Sequence, residues 1–173
     1  KQNKLYNDPV KLFEQWSKDI PGFDFPALGV CGELVNQKRI NEAITCYESN
    51  TDSLRKVSSY YSLGVLYLSQ QDYKKSELAF KKVLEFKPSD FQSLVGLVMV
   101  AIQEKEYDIA MDYIAKAEVL DVFSIDLIRL KCFVLGRQKK YNEVLTILDE
   151  TDSIYNVKEF SNVYRIRLFF ILK

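Results

Sequence analysis

Hydrophobic positions along the chain recur with a period of about 34 residues, in the range expected of helical repeat arrays. Tyr73, Tyr107 and Tyr141 mark this period at equal intervals. Further columns of apolar side chains follow at the same spacing: Tyr60, Leu94 and Ile128; Leu66, Val100 and Val134; and Phe80, Ile114 and Leu148. One column could arise by chance, but several columns of matching size and polarity indicate an internal repeat.

Within one period, the pattern predicts two amphipathic helices joined by a short turn. In residues 57–90, apolar side chains recur at helical spacing over 57–70 and again over 73–86, and the polar residues QQD form the turn. Pro88 ends the second helix because proline has no N–H for a continuing helix. The predicted buried set of that second helix is Tyr73, Leu78, Ala79, Phe80, Val83 and Leu84. Two more copies follow, at 91–124 with a turn at 103–106 and at 125–158 with a turn at 137–140.

Less regular segments flank these three copies. A weaker copy lies near residues 24–56 and has its turn at QKR (37–39), and residues 159–173 have the pattern of the first helix of a partial copy. We therefore expect a repeat domain over residues 24–173. The chain begins with KQNK and without Met, which indicates a fragment or a processed chain.

Residues 1–23 precede the repeats and predict a separate N-terminal helix. Asp8 is a favourable helix cap and Pro9 a favourable first helical residue, and an apolar stripe that includes Trp16 follows them. We expect this helix either to cap the first copy or to dock elsewhere. In the second case, residues 1–22 enter the groove of the repeats or contact another subunit in a homo-oligomer.

The repeat resembles the tetratricopeptide repeat, whose pattern is W-x₂-L-G-x₂-Y in the first helix, A-x₃-F-x₂-A in the second helix, and a closing proline. The matching residues of the copy at 57–90 are Tyr60, Leu63, Gly64, Tyr67, Ser76, Phe80, Val83 and Pro88. No copy has the Trp, and the copy at 91–124 lacks the Pro. The resemblance implies an all-α fold, a right-handed α-α superhelix of about four helix pairs plus terminal helices.

The resemblance also implies where a partner binds. In such a stack, the first helix of each pair lines a concave inner surface, with the second, fifth, ninth, twelfth and thirteenth residues of each copy pointing into the groove. The candidate groove residues at these positions are Leu28, Val35, Tyr61, Val65, Leu68, Val95, Met99, Ile102, Arg129, Phe133 and Arg137. The surface is largely apolar, and Arg129 and Arg137 make one end positive. It favours a protein or peptide partner with an apolar segment, helical or extended, that is flanked by acidic groups.

Several alternatives stay open at this point. The apolar inner-face residues either form a partner groove, pack against neighbouring helices, or are covered by residues 1–22. A structural scaffold subunit of a larger complex and a hydrophobic-groove chaperone or adaptor are alternatives to the docking module. An RNA-binding helical repeat is the least favoured class, because the related pentatricopeptide repeat has a period one residue longer than the one found here.

Composition excludes several kinds of chemistry. The chain of 173 residues has no His, which removes Ser-His-Asp and Cys-His nucleophile pairs and His-containing zinc sites. Lys and Arg total 24, as do Asp and Glu, so the chain lacks the basic excess of nucleic-acid-binding proteins. We therefore expect no enzymatic activity, no metal, no cofactor and no nucleic acid. The longest apolar run, residues 94–102, is too short to insert across a membrane.

The three cysteines are predicted to be free thiols. Cys31 and Cys132 fall at the eighth repeat position, where a small buried residue lies between packed helices. Cys46 has no basic neighbour to lower its pKa, and an odd number of cysteines makes a poor disulfide framework. Free thiols are typical of a reducing compartment, so the prediction is an intracellular, cytoplasmic protein.

Overall fold

The computed structural model describes residues 9–19, 25–51, 56–120 and 124–155. These ranges contain helices and turns without strands, so the predicted all-α class is confirmed. The helices are α1 (Pro9–Asp19), α2 (Phe25–Asn36), α3 (Ile40–Glu48), α4 (Lys56–Ser69), α5 (Tyr73–Phe86), α6 (Phe91–Gln103), α7 (Tyr107–Glu118), α8 (Ile125–Arg137) and α9 (Tyr141–Tyr155). The predicted partial copy at 159–173 lies outside the described residues.

The four turns that join α2 to α3, α4 to α5, α6 to α7 and α8 to α9 share one backbone conformation. Their second residues are Lys38, Gln71, Lys105 and Lys139, with φ between 59° and 63°. In the first turn, the Lys38 N–H donates to the Val35 carbonyl and the Arg39 N–H to the Leu34 carbonyl, both at 2.9 Å, and the other turns repeat both bonds. This is the Schellman motif, in which glycine is the usual left-handed residue. All four predicted turns are confirmed, and all four place a non-glycine residue in a conformation that disfavours a Cβ.

The chain divides into two compact units, Lys1–Val100 and Ala101–Lys173. In the first unit, each helix from α1 to α5 packs against the next. Their buried core contains Val10, Cys31, Leu34, Ala43, Tyr47, Leu63, Leu66, Tyr67 and Ala79. Val10 belongs to this core, so α1 packs on α2 with Val10 of its first turn buried.

The second unit is built in the same way. Helix α7 packs against α8, and α8 against α9. One buried cluster of the last helix pair contains Cys132, Leu135, Val144 and Leu148, with Met111, Ile128, Tyr141, Leu145 and Ile147 packed against it. In the described ranges, no helix combines the length and the apolarity that crossing a bilayer requires.

Phe80 lies at a close approach of three helices in the first unit. Its side chain on α5 is 1% exposed, and its ring lies against Gly64 of α4 and Gly96 of α6. A Cβ at Gly64 would lie 2.7 Å from the ring, and a Cβ at Gly96 would lie 2.5 Å from it. The hydroxyl of Ser76 donates a buried hydrogen bond of 2.7 Å to the Gly64 carbonyl, which holds α5 to α4 beside the ring. Both glycines are therefore needed for the space that they leave.

The cysteines differ from the prediction. Cys31 on α2 and Cys46 on α3 form a disulfide, with their Cα atoms 5.4 Å apart. The prediction of free thiols is wrong for this pair, because antiparallel α2 and α3 place residues at similar distances before and after their turn side by side. Cys132 is free and buried, and burial raises the pKa of its thiol to about 11. The predicted cytoplasmic location rested on free thiols and loses that support.

Candidate protein-interaction surface

In the first unit, part of the predicted groove forms a pocket of about 230 Å³ between α2, α3 and α4. Its lining includes Gly32, Val35, Tyr47, Tyr61, Val65 and Leu66. Three of these side chains were predicted from the repeat register, namely Val35, Tyr61 and Val65. The pocket exists because Gly32 occupies the ninth repeat position, where the other copies have a large side chain. Among the described residues, the lining carries no charged side chain, so it suits an apolar group.

The remaining predicted residues of the first unit differ in how far they are exposed. Leu28 is half-buried and packs against the core of the unit. Leu68 and Val95 are half-buried, and Tyr61 packs edge to face on Phe80 with ring centroids 5.9 Å apart. These side chains contribute to packing as well as to the surface. The predicted alternative of plain packing therefore describes Leu28 better than it describes the exposed positions.

The ninth repeat position carries the exposed apolar side chains. Val65, Met99 and Phe133 occupy it in three successive copies, and they are 44%, 42% and 46% exposed. A large apolar side chain that remains so exposed at the same place in three copies contributes little to the core. Exposed apolar groups of this kind are typical of surfaces that bind a partner.

In the second unit, the predicted arginines both contact their own chain. Arg129 forms an exposed ion pair with Asp126, one helical turn away, at 3.3 Å. The Arg137 Nε donates to the Tyr107 hydroxyl at 3.0 Å, and its guanidinium lies over the Tyr107 ring. Ile102, the other predicted residue of this unit beside Phe133, is half-buried. Exposed ion pairs contribute about 0–1 kcal/mol, so the pair of Arg129 with Asp126 stabilises the chain little.

A second pocket, of about 380 Å³, was missed by the sequence analysis. It lies between α3, α4 and α5, and its lining includes Tyr60, Leu63, Tyr67, Leu78 and Ala79. Leu78 is 62% exposed, so the prediction that it is buried is wrong. At the rim, the Tyr67 hydroxyl donates to Glu48 at 2.5 Å; burial raises the pKa of Tyr67, and the neighbouring carboxylate adds to this shift. The only sequence signal was an apolar residue among the charged positions of α5.

Comparisons with known proteins agree with the fold. The tetratricopeptide repeat family model matches residues 57–90. A tetratricopeptide repeat protein from Parabacteroides merdae superposes with a TM-score of 0.80 and 16% identity, over 96% of this chain and 68% of that one. MamA from Desulfovibrio magneticus gives 0.76 and 15% identity, over 91% and 92% of the two chains. PilF from Pseudomonas aeruginosa gives 0.70 and 13% identity, over 90% and 71%.

At these identities, the structural likeness shows the fold alone. No curated protein matches the sequence. Tetratricopeptide repeats generally act as non-enzymatic modules for protein–protein interaction. The predicted resemblance is thus confirmed: residues 57–90 are a tetratricopeptide repeat, and the chain has the tetratricopeptide fold.

Proposed function

We propose that this chain is a non-enzymatic interaction module that docks an apolar helix or extended segment of a partner protein on the inner face of its first helices. The observation that carries the proposal is the exposure of Val65, Met99 and Phe133 at one repeat position. The pocket beside Val65 supports it, because it offers an uncharged cavity for a partner side chain.

The size of the effect follows from the area that the partner would cover. Complete burial of a Val, Met or Phe side chain contributes about 1.5–3 kcal/mol. Val65 and Met99 are 44% and 42% exposed, so a partner covers a little under half of each side chain and each contributes about 1 kcal/mol. Placing a carboxylate at either position would also bury a charge without a partner. We therefore expect each substitution by Glu to weaken binding by at least tenfold, which corresponds to about 1.4 kcal/mol.

In the second unit, the two predicted groove arginines are the candidates for binding an acidic partner residue. Arg129 is exposed and pairs with Asp126 in its own helix, so it is the arginine that such a residue would contact. Arg137 has less to offer, because its guanidinium already lies on Tyr107. These side chains favour a partner that carries acidic residues as well as its apolar segment, with no demand for a basic or nucleic-acid ligand.

A scaffold subunit of a larger complex is the second candidate function. It is favoured by the second pocket, whose wall residue Leu78 is 62% exposed on α5. Two apolar surfaces on one chain would allow it to contact two neighbours. A chaperone or adaptor would use the same inner face as the docking module, so the surface does not separate these two roles.

The proposal is tested by selecting short peptides from a display library on the immobilised chain. We expect enrichment of peptides with three or four apolar residues at helical or alternating spacing. Their binding should fall at least a hundredfold for the variant Val65→Glu/Met99→Glu. Tyr61 is left unchanged, because it packs on Phe80 and its loss would also disturb the core.

The matched control is Leu78→Glu, which adds the same charge at an exposed apolar position outside the predicted groove. The variants should retain the circular dichroism and melting temperature of the parent chain, since the altered side chains are exposed. Selected peptides that bind the folded double variant as well as the parent contradict the groove. Peptides lost only in Leu78→Glu place the docking surface at the second pocket instead.

A further inference from the structure

We propose that the Cys31–Cys46 disulfide is redox-sensitive and holds together the walls of the pocket between α2, α3 and α4. A dithiol reductant that breaks the disulfide then weakens the docking of a partner at this pocket. This inference rests on the proposed function, because the pocket is part of the proposed docking surface. It concerns the regulation of that surface and adds a chemical step that the repeat pattern does not contain.

The disulfide lies directly behind the pocket wall. Gly32 follows Cys31 on α2, Tyr47 follows Cys46 on α3, and both residues line the pocket. The bond therefore joins the two helices at the level where they form the cavity. It closes a loop of 15 residues around their turn. Apart from the turn itself, no other covalent link joins these two helices, so their separation depends on this bond and on side-chain packing.

Hydrogen bonds through Asn50 link the disulfide to α4, which forms the opposite wall of the pocket. The side-chain amide of Asn50 donates to the Cys46 carbonyl at 2.8 Å and lies 4.0 Å from the Cys31 sulfur. The buried hydroxyl of Ser59 on α4 donates to the Asn50 carbonyl at 3.3 Å. A displacement of α3 from α2 would thus also move Asn50 and disturb its hydrogen bond with Ser59 of α4.

The two cysteines differ in exposure, which sets the order of the reaction. Cys31 is 0% exposed, whereas Cys46 is only half-buried. One thiolate of a dithiol attacks the Cys46 sulfur, the Cys31–Cys46 bond breaks, and Cys31 leaves as a thiolate that takes a proton. The second thiolate of the dithiol then attacks the first sulfur of the dithiol, which is bonded to Cys46 in the mixed disulfide. Cys46 leaves and is protonated, and the dithiol, having given two electrons, becomes a disulfide.

Reduction removes the restraint that the disulfide places on this loop. For a loop of that length, chain entropy predicts roughly a hundredfold shift of the opening equilibrium. We expect the pair α2–α3 to open more often in the reduced chain, since the buried Leu34 and Ala43 then hold it by packing alone. When α2 and α3 separate more often, the intact pocket is present in a smaller fraction of the molecules. The apparent affinity for the partner falls with that fraction.

Hydrogen exchange with mass spectrometry tests the first half of the inference on the intact chain. Amides in residues 25–51 should exchange roughly a hundredfold faster after treatment with dithiothreitol, whereas those in residues 125–151 should be unchanged. Alkylation under denaturing conditions confirms the redox state: one cysteine reacts in the oxidised chain and three react in the reduced chain. Equal exchange of residues 25–51 in both states overturns the inference.

Fluorescence polarisation tests the second half, with a fluorescein-labelled display peptide selected as above. We expect its affinity to fall at least tenfold on reduction and to recover on reoxidation. The variant Cys46→Ala should bind like the reduced chain and should not respond to dithiothreitol; if it does not fold, reversible reduction of the parent chain gives the same comparison.

The two proposals fail in different ways. Faster exchange with an unchanged peptide affinity overturns the redox control and leaves the docking surface intact. If the oxidised variant Val65→Glu/Met99→Glu binds the peptide as tightly as the oxidised parent chain, the proposed docking surface is contradicted. The proposed redox control of that surface is then contradicted as well.

Discussion

The clearest perturbation is the substitution of Gly96 by Ala on α6. The added methyl group would lie 2.5–2.8 Å from three atoms of the Phe80 ring, far inside normal contact distance. The ring cannot withdraw easily, because it is 1% exposed and Gly64 of α4 approaches it as closely. One of the three helices must therefore shift to admit the methyl group.

The expected magnitude combines two opposing effects. In a helix interior, Ala is more favourable than Gly by about 1 kcal/mol. Overpacking a rigid core costs about 1–3 kcal/mol, and the upper end applies where two helices confine the same ring. Gly96→Ala should therefore lower the free energy of unfolding by about 2 kcal/mol. Gly136 on α8 is the matched control: no atom lies within 4 Å of its would-be Cβ, so Gly136→Ala should raise stability by about 0.5–1 kcal/mol.

Urea unfolding followed by far-ultraviolet circular dichroism measures both variants. Fluorescence of the single tryptophan, Trp16, reports on the first unit in the same samples. For a urea m-value of about 2 kcal/mol/M, the midpoint for Gly96→Ala should fall by about 1 M. In the background Phe80→Leu, the cost of Gly96→Ala should shrink by more than about 1 kcal/mol, because the smaller side chain leaves room. If Gly96→Ala stabilises the chain as much as Gly136→Ala does, the close approach at Phe80 is refuted.

Three further predictions concern a cap, a turn and a thiol. Asp90→Ala removes the side-chain cap of α6 and should cost about 1 kcal/mol, against less than about 0.5 kcal/mol for the exposed control Glu85→Ala. Burial raises the pKa of Asp90, but hydrogen bonds from Lys87 and Ser93 outweigh burial and lower the pKa below 3.8. The contribution of Asp90 to stability is therefore present above pH 3.8 and is lost as the pH falls through the pKa of the folded state. Measuring the free energy of unfolding at decreasing pH checks this. Lys139→Gly removes the steric cost of a Cβ in the left-handed conformation and should raise the free energy of unfolding in urea by about 0.5–1 kcal/mol. Lys140→Gly, at the next residue, should lower the free energy of unfolding. Cys132 should react with iodoacetamide far more slowly in the native chain than after unfolding, because burial raises the pKa of its thiol to about 11.

The period and the turns could be predicted because they depend on local chemistry that recurs. Apolar side chains at helical spacing mark the helices, and a short polar stretch interrupts the pattern once in each copy. The boundaries of α5 coincide with the predicted segment 73–86, since Asp72 accepts a hydrogen bond from the Lys75 N–H and caps the first turn. The left-handed residues gave no such signal, because lysine and glutamine occupy the place where glycine is usual.

The errors in the sequence predictions have a common physical origin: they concern contacts between side chains that are distant in the sequence and close in the folded chain. Cys31 and Cys46 are unremarkable as separate residues, and only the geometry of the α2–α3 turn places their sulfurs together. That turn had been predicted, so the pairing was within reach of the sequence. Leu78 is the opposite case: its helical position suggested burial, but the space beside it remains open as a pocket. Repeat register assigns a residue to a side of its helix, whereas the size of its neighbours decides whether it is covered.

The same distinction separates the two groove arginines. Arg137 reaches Tyr107, thirty residues earlier, and Gln138 reaches Asp108 at the same separation, so the end of α8 packs across the start of α7. Arg137 therefore stabilises a contact within the second unit, and an acidic partner would have to displace it from an aromatic ring. Arg129 would give up an exposed ion pair in its own helix. An acidic residue of the partner that reaches the second unit should thus contact Arg129, and Arg129→Gln should lower the affinity of the partner more than Arg137→Gln does.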